Sequence, residues 1–131
     1  MKYLFTLWGD ESDYETATPE EGAAEMAAYE AFGREAEAAG ILLGGEGLEP
    51  TTSATTLRLK GGERVVTDGP FAETKEQLGG YYVLDCKDLD DALDWAAKLP
   101  VAKSGSVEIR PIMDYEAVAK GYADAANAQN A

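Results

Sequence analysis

Hydrophobic and polar residues alternate along residues 2–8, and this pattern predicts a β-strand. The alternation places Tyr3, Phe5 and Leu7 together on one face of that strand. Five further segments have the length and composition of strands, and two of them flank a glycine turn as a hairpin. These five segments are residues 41–43, 55–60, 64–67, 81–86 and 106–113.

A helical spacing of apolar residues predicts two helices between these strands. The first begins after the N-cap Thr18 and continues to about residue 39. The second covers residues 89–98 and begins after the N-cap Asp88. Residues 9–17 contain few apolar side chains and are predicted to be a loop. The apolar face of the first helix is predicted to include Met26, Tyr29, Phe32 and Ala36.

The order of these elements predicts an α+β fold, in which a ferredoxin-like antiparallel sheet carries two helices on one face. The other face of the sheet would then present Trp8, Tyr81 and Tyr82, which are too large to be left in water. A second copy of the chain, packed sheet on sheet, would cover them. We therefore predict a homodimer.

The chain has 131 residues, a length that predicts one domain, and we place this domain at residues 1–113. Residues 114–131 are alanine-rich and are predicted to form a C-terminal tail, partly helical and frayed from residue 127 onward. No stretch approaches the roughly 18 apolar residues of a membrane span, and the N-terminus does not resemble a cleaved signal. We therefore expect a cytoplasmic protein that does not enter a membrane.

Charge and residue types exclude several classes of function. The chain carries 25 acidic and 11 basic residues, a formal net charge of −14, so direct binding to nucleic acid is not expected. It contains no histidine, which excludes Ser-His-Asp and Cys-His catalysis. Its one cysteine, Cys86, excludes an internal disulfide and is predicted to be a buried apolar residue. The acidic clusters fall at predicted helix N-termini, so we expect neither a metal nor a cofactor.

One segment carries a family resemblance. Residues 66–82 read VTDGPFAETKEQLGGYY, which resembles the signature of the DGPF-type proteins within the YCII-related domain family. Residues 44–48, 88–92 and 105–111 support the resemblance, which covers the chain from residue 1 to about residue 113.

The resemblance implies a dimeric α/β barrel of ferredoxin-like protomers, without an established activity. It also implies a bacterial protein that is often encoded beside an extracytoplasmic-function sigma factor. Some relatives in the wider family carry a His-Asp pair proposed as catalytic, including a dehydrochlorinase that acts on chlorinated hydroquinones. Because this chain has no histidine, that mechanism cannot be transferred to it. Asp68, Glu73, Lys75 and Glu76 match signature positions that have no assigned role.

The polar residues of the signature have two interpretations. Asp68 either closes a turn with Gly69 and Pro70, with Phe71 in the core, or lies at a pocket as a base or hydrogen-bond acceptor. The residues after it either form a solvated loop or fold over the sheet and line a cleft with Asp68. Those residues are Glu73, Lys75 and Glu76.

The strands on either side supply further candidates. Arg110 shares a strand face with Glu108, and either forms an intersubunit ion pair or binds a carboxylate or phenolate ligand. Trp8, Tyr81 and Tyr82 either form the core of an interface or line a pocket for an aromatic ligand.

Three hypotheses about function follow from these residues. In the first, a dimer binds a small aromatic or acid-bearing metabolite in a pocket between sheets, near Asp68, Tyr81 and Arg110. In the second, the protein is a histidine-free lyase or dehalogenase-like enzyme, with Asp68 or Glu73 as base. In the third, it is an accessory protein of a sigma factor, and its acidic surface meets a basic partner.

Overall fold

A computed structural model describes residues 1–130 of the chain. Six strands are present: β1 (Lys2–Gly9), β2 (Leu42–Gly47), β3 (Thr55–Lys60), β4 (Glu63–Asp68), β5 (Gln77–Asp85) and β6 (Ser106–Pro111). The helices are α1 (Ser12–Thr16), α2 (Pro19–Ala38), α3 (Leu89–Ala96), α4 (Val101–Ser104) and α5 (Tyr115–Gln129), with a 3-10 turn at Thr51–Ser53.

The strands confirm the predicted α+β fold. Four of them form an antiparallel sheet in the order β2-β5-β1-β6, which is the ferredoxin-like arrangement. The sheet of the single chain is open and does not close into a barrel. Strands β3 and β4 form a separate hairpin, inserted between β2 and β5.

One face of the sheet forms the core together with the helices. Tyr3, Phe5 and Leu7 of β1 are buried there, as their alternation predicts. The centroid of the Phe32 ring on α2 lies 4.9 Å from the ring centroid of Tyr82 and 5.9 Å from that of Trp95. The other buried hydrophobic side chains are those of Ala36, Leu84, Cys86, Ala92, Ala96, Leu99 and Val101.

The ends of the long helices agree with their predicted caps. The hydroxyl of Thr18 accepts a hydrogen bond from the Glu21 N–H at 3.1 Å, and the carboxylate of Asp88 accepts one from the Asp91 N–H at 2.8 Å. The predicted face of α2 is correct for Phe32 and Ala36, which are buried, but Met26 is 66% exposed.

Several boundaries differ from the sequence prediction. Helix α1 lies within the predicted loop of residues 9–17, and β5 begins at Gln77 rather than at residue 81. In the extra part of β5, Gly80 pairs with Leu7 of β1, and Leu78 and Gln77 pair with β1 beyond a register shift between Leu7 and Trp8. Pairing with a distant strand is a tertiary effect, which local propensity does not reveal.

The C-terminal segment forms a longer helix than expected. Helix α5 includes residues 127–129, for which the sequence predicts fraying, and all of its residues are exposed. Residue 131, the end of the predicted frayed tail, lies outside the described part of the chain. The division into a domain at residues 1–113 and a tail stays a prediction. Within residues 1–130, no helix is both long enough and apolar enough to span a membrane.

Candidate functional site

The register of the sheet decides which candidate side chains share its open face, the face turned away from the core. Thr6 lies opposite both Tyr81 and Glu108, and Leu4 lies opposite Arg110. Directly opposed residues point to the same side of an antiparallel sheet, so these side chains lie on the open face. Glu108 and Arg110 share a face, as predicted.

Tyr82 does not join them. It lies opposite the buried Phe5 and packs against Phe32, so it belongs to the helix side of the sheet. The prediction that Tyr81 and Tyr82 both occupy the open face was wrong, because successive residues of a strand point to opposite faces.

Trp8 lies on the open face at the end of β1. Its indole N–H donates a hydrogen bond to the hydroxyl of Thr6 at 2.9 Å. The polar group of the indole is therefore satisfied within the protein, and the ring is free to offer an apolar surface.

A groove of about 750 Å³ extends from Trp8 to the DGPF segment, and we call it the DGPF groove. Trp8 and Leu78 contribute from the sheet, whereas Phe71 contributes from the DGPF segment. Phe71 is 78% exposed, so it is not the core residue that one interpretation predicts. The other lining residues are Leu48, Glu49, Pro50, Thr51, Ser53, Ala54, Thr55, Thr56, Pro70, Ala72, Glu73, Thr74 and Gln77.

The turn at the start of this segment depends on Gly69. Its φ of 97° is a left-handed conformation that favours glycine, and its N–H donates to the Ala54 carbonyl at 2.7 Å. The hydroxyl of Thr56 donates to the Gly69 carbonyl at 2.8 Å. These contacts agree with a structural role for the turn, while the side chain of Asp68 is exposed beside it.

A smaller hollow adjoins the groove at Trp8 and Thr74, and Lys75 and Glu76 line it. The carboxylate of Glu76 accepts a hydrogen bond from the Ser106 hydroxyl at 2.8 Å, so this residue is held against β6. Lys75 makes no ion pair with any residue in the described chain.

The charge of Lys75 also affects the pKa of Asp10. The pKa of the Asp10 carboxyl is lowered mainly by hydrogen bonds from Ser12, and more weakly by the positive charge of Lys75.

The structure thus gathers four of the seven candidates around the two hollows: Trp8, Glu73, Lys75 and Glu76. Among residues 1–130, the lining of these hollows does not include Asp68, Tyr81 or Arg110. The pocket expected near those three is therefore not formed by them within a single chain.

Sequence reasoning missed the residues that tie the segments around the groove together. The side-chain oxygen of Gln77 accepts from the Glu11 N–H at 2.9 Å, and its amide donates to the Thr74 carbonyl at 2.7 Å. The Glu11 carboxylate in turn accepts from the N–H and the hydroxyl of Thr51, at 2.7 and 2.6 Å. Nothing in the local sequence marks the bonds of Glu11, because its partners Gln77 and Thr51 are 66 and 40 positions away along the chain.

A second concavity, on the helix side of the sheet, was also missed. It has a volume of about 560 Å³, and we call it the helix-side cleft. Its lining includes side chains from α1 and α2 and glycines from β2 and β5. The lining residues are Leu7, Gly9, Glu11, Tyr14, Gly22, Glu25, Met26, Tyr29, Gly45, Glu46, Gly47, Gln77, Gly79, Gly80, Tyr81, Tyr82 and Val101.

The sequence did contain a signal for this cleft, in its glycines. Glycines such as those of residues 44–47 permit a bulge or a twisted sheet edge, and β2 shifts register between Leu42 and Gly44. Gly45 also permits close packing, because a Cβ atom there would lie 2.7 Å from the ring of Tyr82.

The cleft and the grooves contain no evident metal centre. Within residues 1–130, no three side chains of histidine, cysteine, aspartate or glutamate are placed to hold a metal ion together. Cys86 is a buried free thiol, and its pKa is raised by burial and by the negative charges of Asp91 and Asp85. Such a thiol is a poor nucleophile and metal ligand.

Comparison with known proteins agrees with the signature in residues 66–82. The family model of the YCII-related domain matches residues 1–116. The chain is also 45% identical, over 118 residues, to an uncharacterized protein of Rhizobium meliloti (strain 1021). That match covers 88% of this chain and 95% of the other protein. The chain therefore belongs to the YCII-related domain family.

Proposed function

We propose that the protein is a homodimer that binds a small aromatic, acid-bearing metabolite in the DGPF groove. The volume of about 750 Å³ falls within the usual range for small-molecule sites. The groove opens on the face of the sheet that a second copy would cover, so in a dimer it would lie between sheets.

One observation carries the proposal: Trp8 lies where the groove meets the smaller hollow that contains Lys75. The ring of Trp8 offers a surface on which an aromatic ligand would stack. The ammonium group of Lys75, which has no ion-pair partner within residues 1–130, would then attract the carboxylate of that ligand.

The two alternatives have less support. Asp68 and Glu73 are exposed, whereas a carboxylate that serves as general base near neutral pH usually needs burial. A sigma-factor partner rests on the family resemblance and on the net charge of −14, and no feature of the described fold points to it.

Fluorescence of Trp8 tests the proposal directly. The chain has two tryptophans, so a Trp95→Phe variant leaves Trp8 as the only indole. We expect phenylacetate to change its emission with saturation in the millimolar range. A Lys75→Gln substitution should weaken this binding by about two- to fivefold, as expected for an exposed ion pair.

Two controls make the result specific. Benzyl alcohol, which lacks the carboxylate, should bind with the same affinity to the protein with Lys75 and to the Lys75→Gln variant. Lys60→Gln, at the tip of the β3–β4 hairpin, should not affect the affinity for phenylacetate. The proposal fails if phenylacetate leaves the emission of Trp8 unchanged, or if both lysine variants weaken binding to the same degree.

A further inference from the structure

We propose that the helix-side cleft is a second binding site, selective for a small organic cation such as an arylalkyl ammonium ion. This site is separate from the DGPF groove, on the opposite face of the sheet, and its ligand has the opposite charge.

Tyrosine rings provide the apolar surface of the cleft. Tyr14 of α1, Tyr29 of α2 and Tyr82 of β5 all line it, together with Met26. Burial is the main cause that raises the pKa of all three phenols, so they stay neutral near pH 7. The electron-rich faces of such rings attract ammonium groups, particularly where water is partly excluded.

The carboxylates of the cleft favour a positively charged ligand. Glu11 and Glu25 line the cleft, and within the described chain its lining includes no lysine or arginine. Glu46 is also part of the lining, but it lies opposite Tyr81 in the sheet, so its side chain belongs to the open face. The carboxylate of Glu11 already accepts two hydrogen bonds from Thr51, whereas the carboxylate of Glu25 forms no hydrogen bond or ion pair within residues 1–130. Glu25 is therefore the carboxylate that is available to a ligand.

Glu25 lies close to the aromatic surface. It is half-buried on α2, one helical turn before Tyr29. Glu25, Tyr14 and Tyr29 all line the same cleft. The negative charge of Glu25 adds to the effect of burial in raising the pKa of both phenols. A cation bound between these rings would meet the carboxylate as well.

Glycine at position 22 keeps the cleft open. A glycine inside a helix is less stable than an alanine at the same position, so its presence calls for a reason. No contact within the protein supplies one, because a Cβ atom at Gly22 would have no neighbour within 4 Å. A side chain here would instead occupy the cleft, since Gly22 is part of its lining.

Isothermal titration calorimetry with phenethylammonium chloride tests the site. We expect binding to the wild-type protein, and at least about tenfold weaker binding of 2-phenylethanol, which has the same body without the charge. Gly22→Leu should fill the cleft and abolish detectable binding. It should not unfold the protein, because leucine is a better helix former than glycine.

Matched variants separate the site from general attraction to an acidic protein. Gly33→Leu changes another glycine of α2 that has open space around it and lies outside the lining, so it should leave binding intact. Glu25→Gln should weaken binding about tenfold, whereas Glu20→Gln, which removes an equal charge from an exposed position outside the lining, should not.

Three results would overturn the inference: no binding of phenethylammonium, unchanged binding to a folded Gly22→Leu variant, or equal losses in the two glutamate variants. The Lys75→Gln substitution should not affect this titration. Failure of this site is therefore distinguishable from failure of the DGPF groove.

Discussion

At the scale of single residues, the side chain of Gln77 joins Thr74, which lines the DGPF groove, to Glu11, which lines the helix-side cleft. It accepts from the Glu11 N–H and donates to the Thr74 carbonyl, and it lines both the groove and the helix-side cleft. A hydrogen-bonding side chain that is shared between two concavities sets their relative position. Gln77 is thus a positioning residue for both proposed sites.

Replacing Gln77 should destabilise the fold. In Gln77→Met, the Glu11 N–H and the Thr74 carbonyl both lose their side-chain partner, and we expect the free energy of unfolding to fall by about 1–3 kcal/mol. Urea denaturation followed by circular dichroism measures this change. Gln129→Met, near the exposed end of α5, should leave the stability within about 0.5 kcal/mol of wild type, and an equal effect of both variants would contradict the role of Gln77.

The same residues explain what sequence reasoning achieved at this scale. The caps Thr18 and Asp88 were predictable because their hydrogen bonds join residues three positions apart. The bonds of Glu11 were not predictable, because its partners Gln77 and Thr51 lie 66 and 40 positions away along the chain. A single sequence contains no local signal for such contacts.

At the scale of elements, close backbone approaches depend on particular glycines. Gly105 follows α4 and immediately precedes β6, where the chain passes β1. A Cβ atom at Gly105 would lie 2.1 Å from the Trp8 carbonyl oxygen, which belongs to the backbone and cannot swing aside. The path between α4 and β6 therefore requires a residue without a side chain.

The substitution Gly105→Ala should be strongly destabilising. Because the backbone of β1 or β6 must shift to admit the methyl group, we expect a loss of about 2–4 kcal/mol in the free energy of unfolding. The measurement is again the urea midpoint, with far-ultraviolet circular dichroism to confirm that the variant still folds.

A second glycine provides the control. Gly121 lies within α5, and a Cβ atom added there would have no neighbour within 4 Å, so Gly121→Ala should stabilise the helix by about 0.5–1 kcal/mol. If the two alanine variants change stability in the same direction, the close approach at Gly105 does not limit the fold.

The elements also differ in how well periodicity predicted them. Periodicity predicted strand β1 and the buried half of α2 correctly, because each has one face in the core and one outside it. Helix α1 was missed, since none of its five residues is buried and no apolar pattern marks it. The N-terminal part of β5 was missed because glycine is disfavoured in strands, whereas here Gly80 permits a close approach of β2, since a Cβ atom there would lie 2.9 Å from the Glu46 carbonyl oxygen.

At the scale of the whole molecule, the open face of the sheet is the feature that a single chain leaves unexplained. Leu4 and Val83 lie there and are only partly buried, and Trp8 and Tyr81 share the same face. The helix side differs, because there the chain itself buries the core residues. A second copy remains our proposal for what covers the open face.

The proposed homodimer predicts a solution mass of twice 14.0 kDa in sedimentation equilibrium at micromolar concentration. Leu4→Asp should yield monomers, because a carboxylate on the covered face would lose its water without gaining a partner. Leu93→Asp, at an exposed position of α3 on the helix side, is the matched control and should leave the dimer intact.

Each copy has a formal charge of −14, so we also expect added salt to strengthen association. A wild-type mass of 14.0 kDa at every salt concentration would contradict the dimer, and the DGPF groove would then be a site of the single chain.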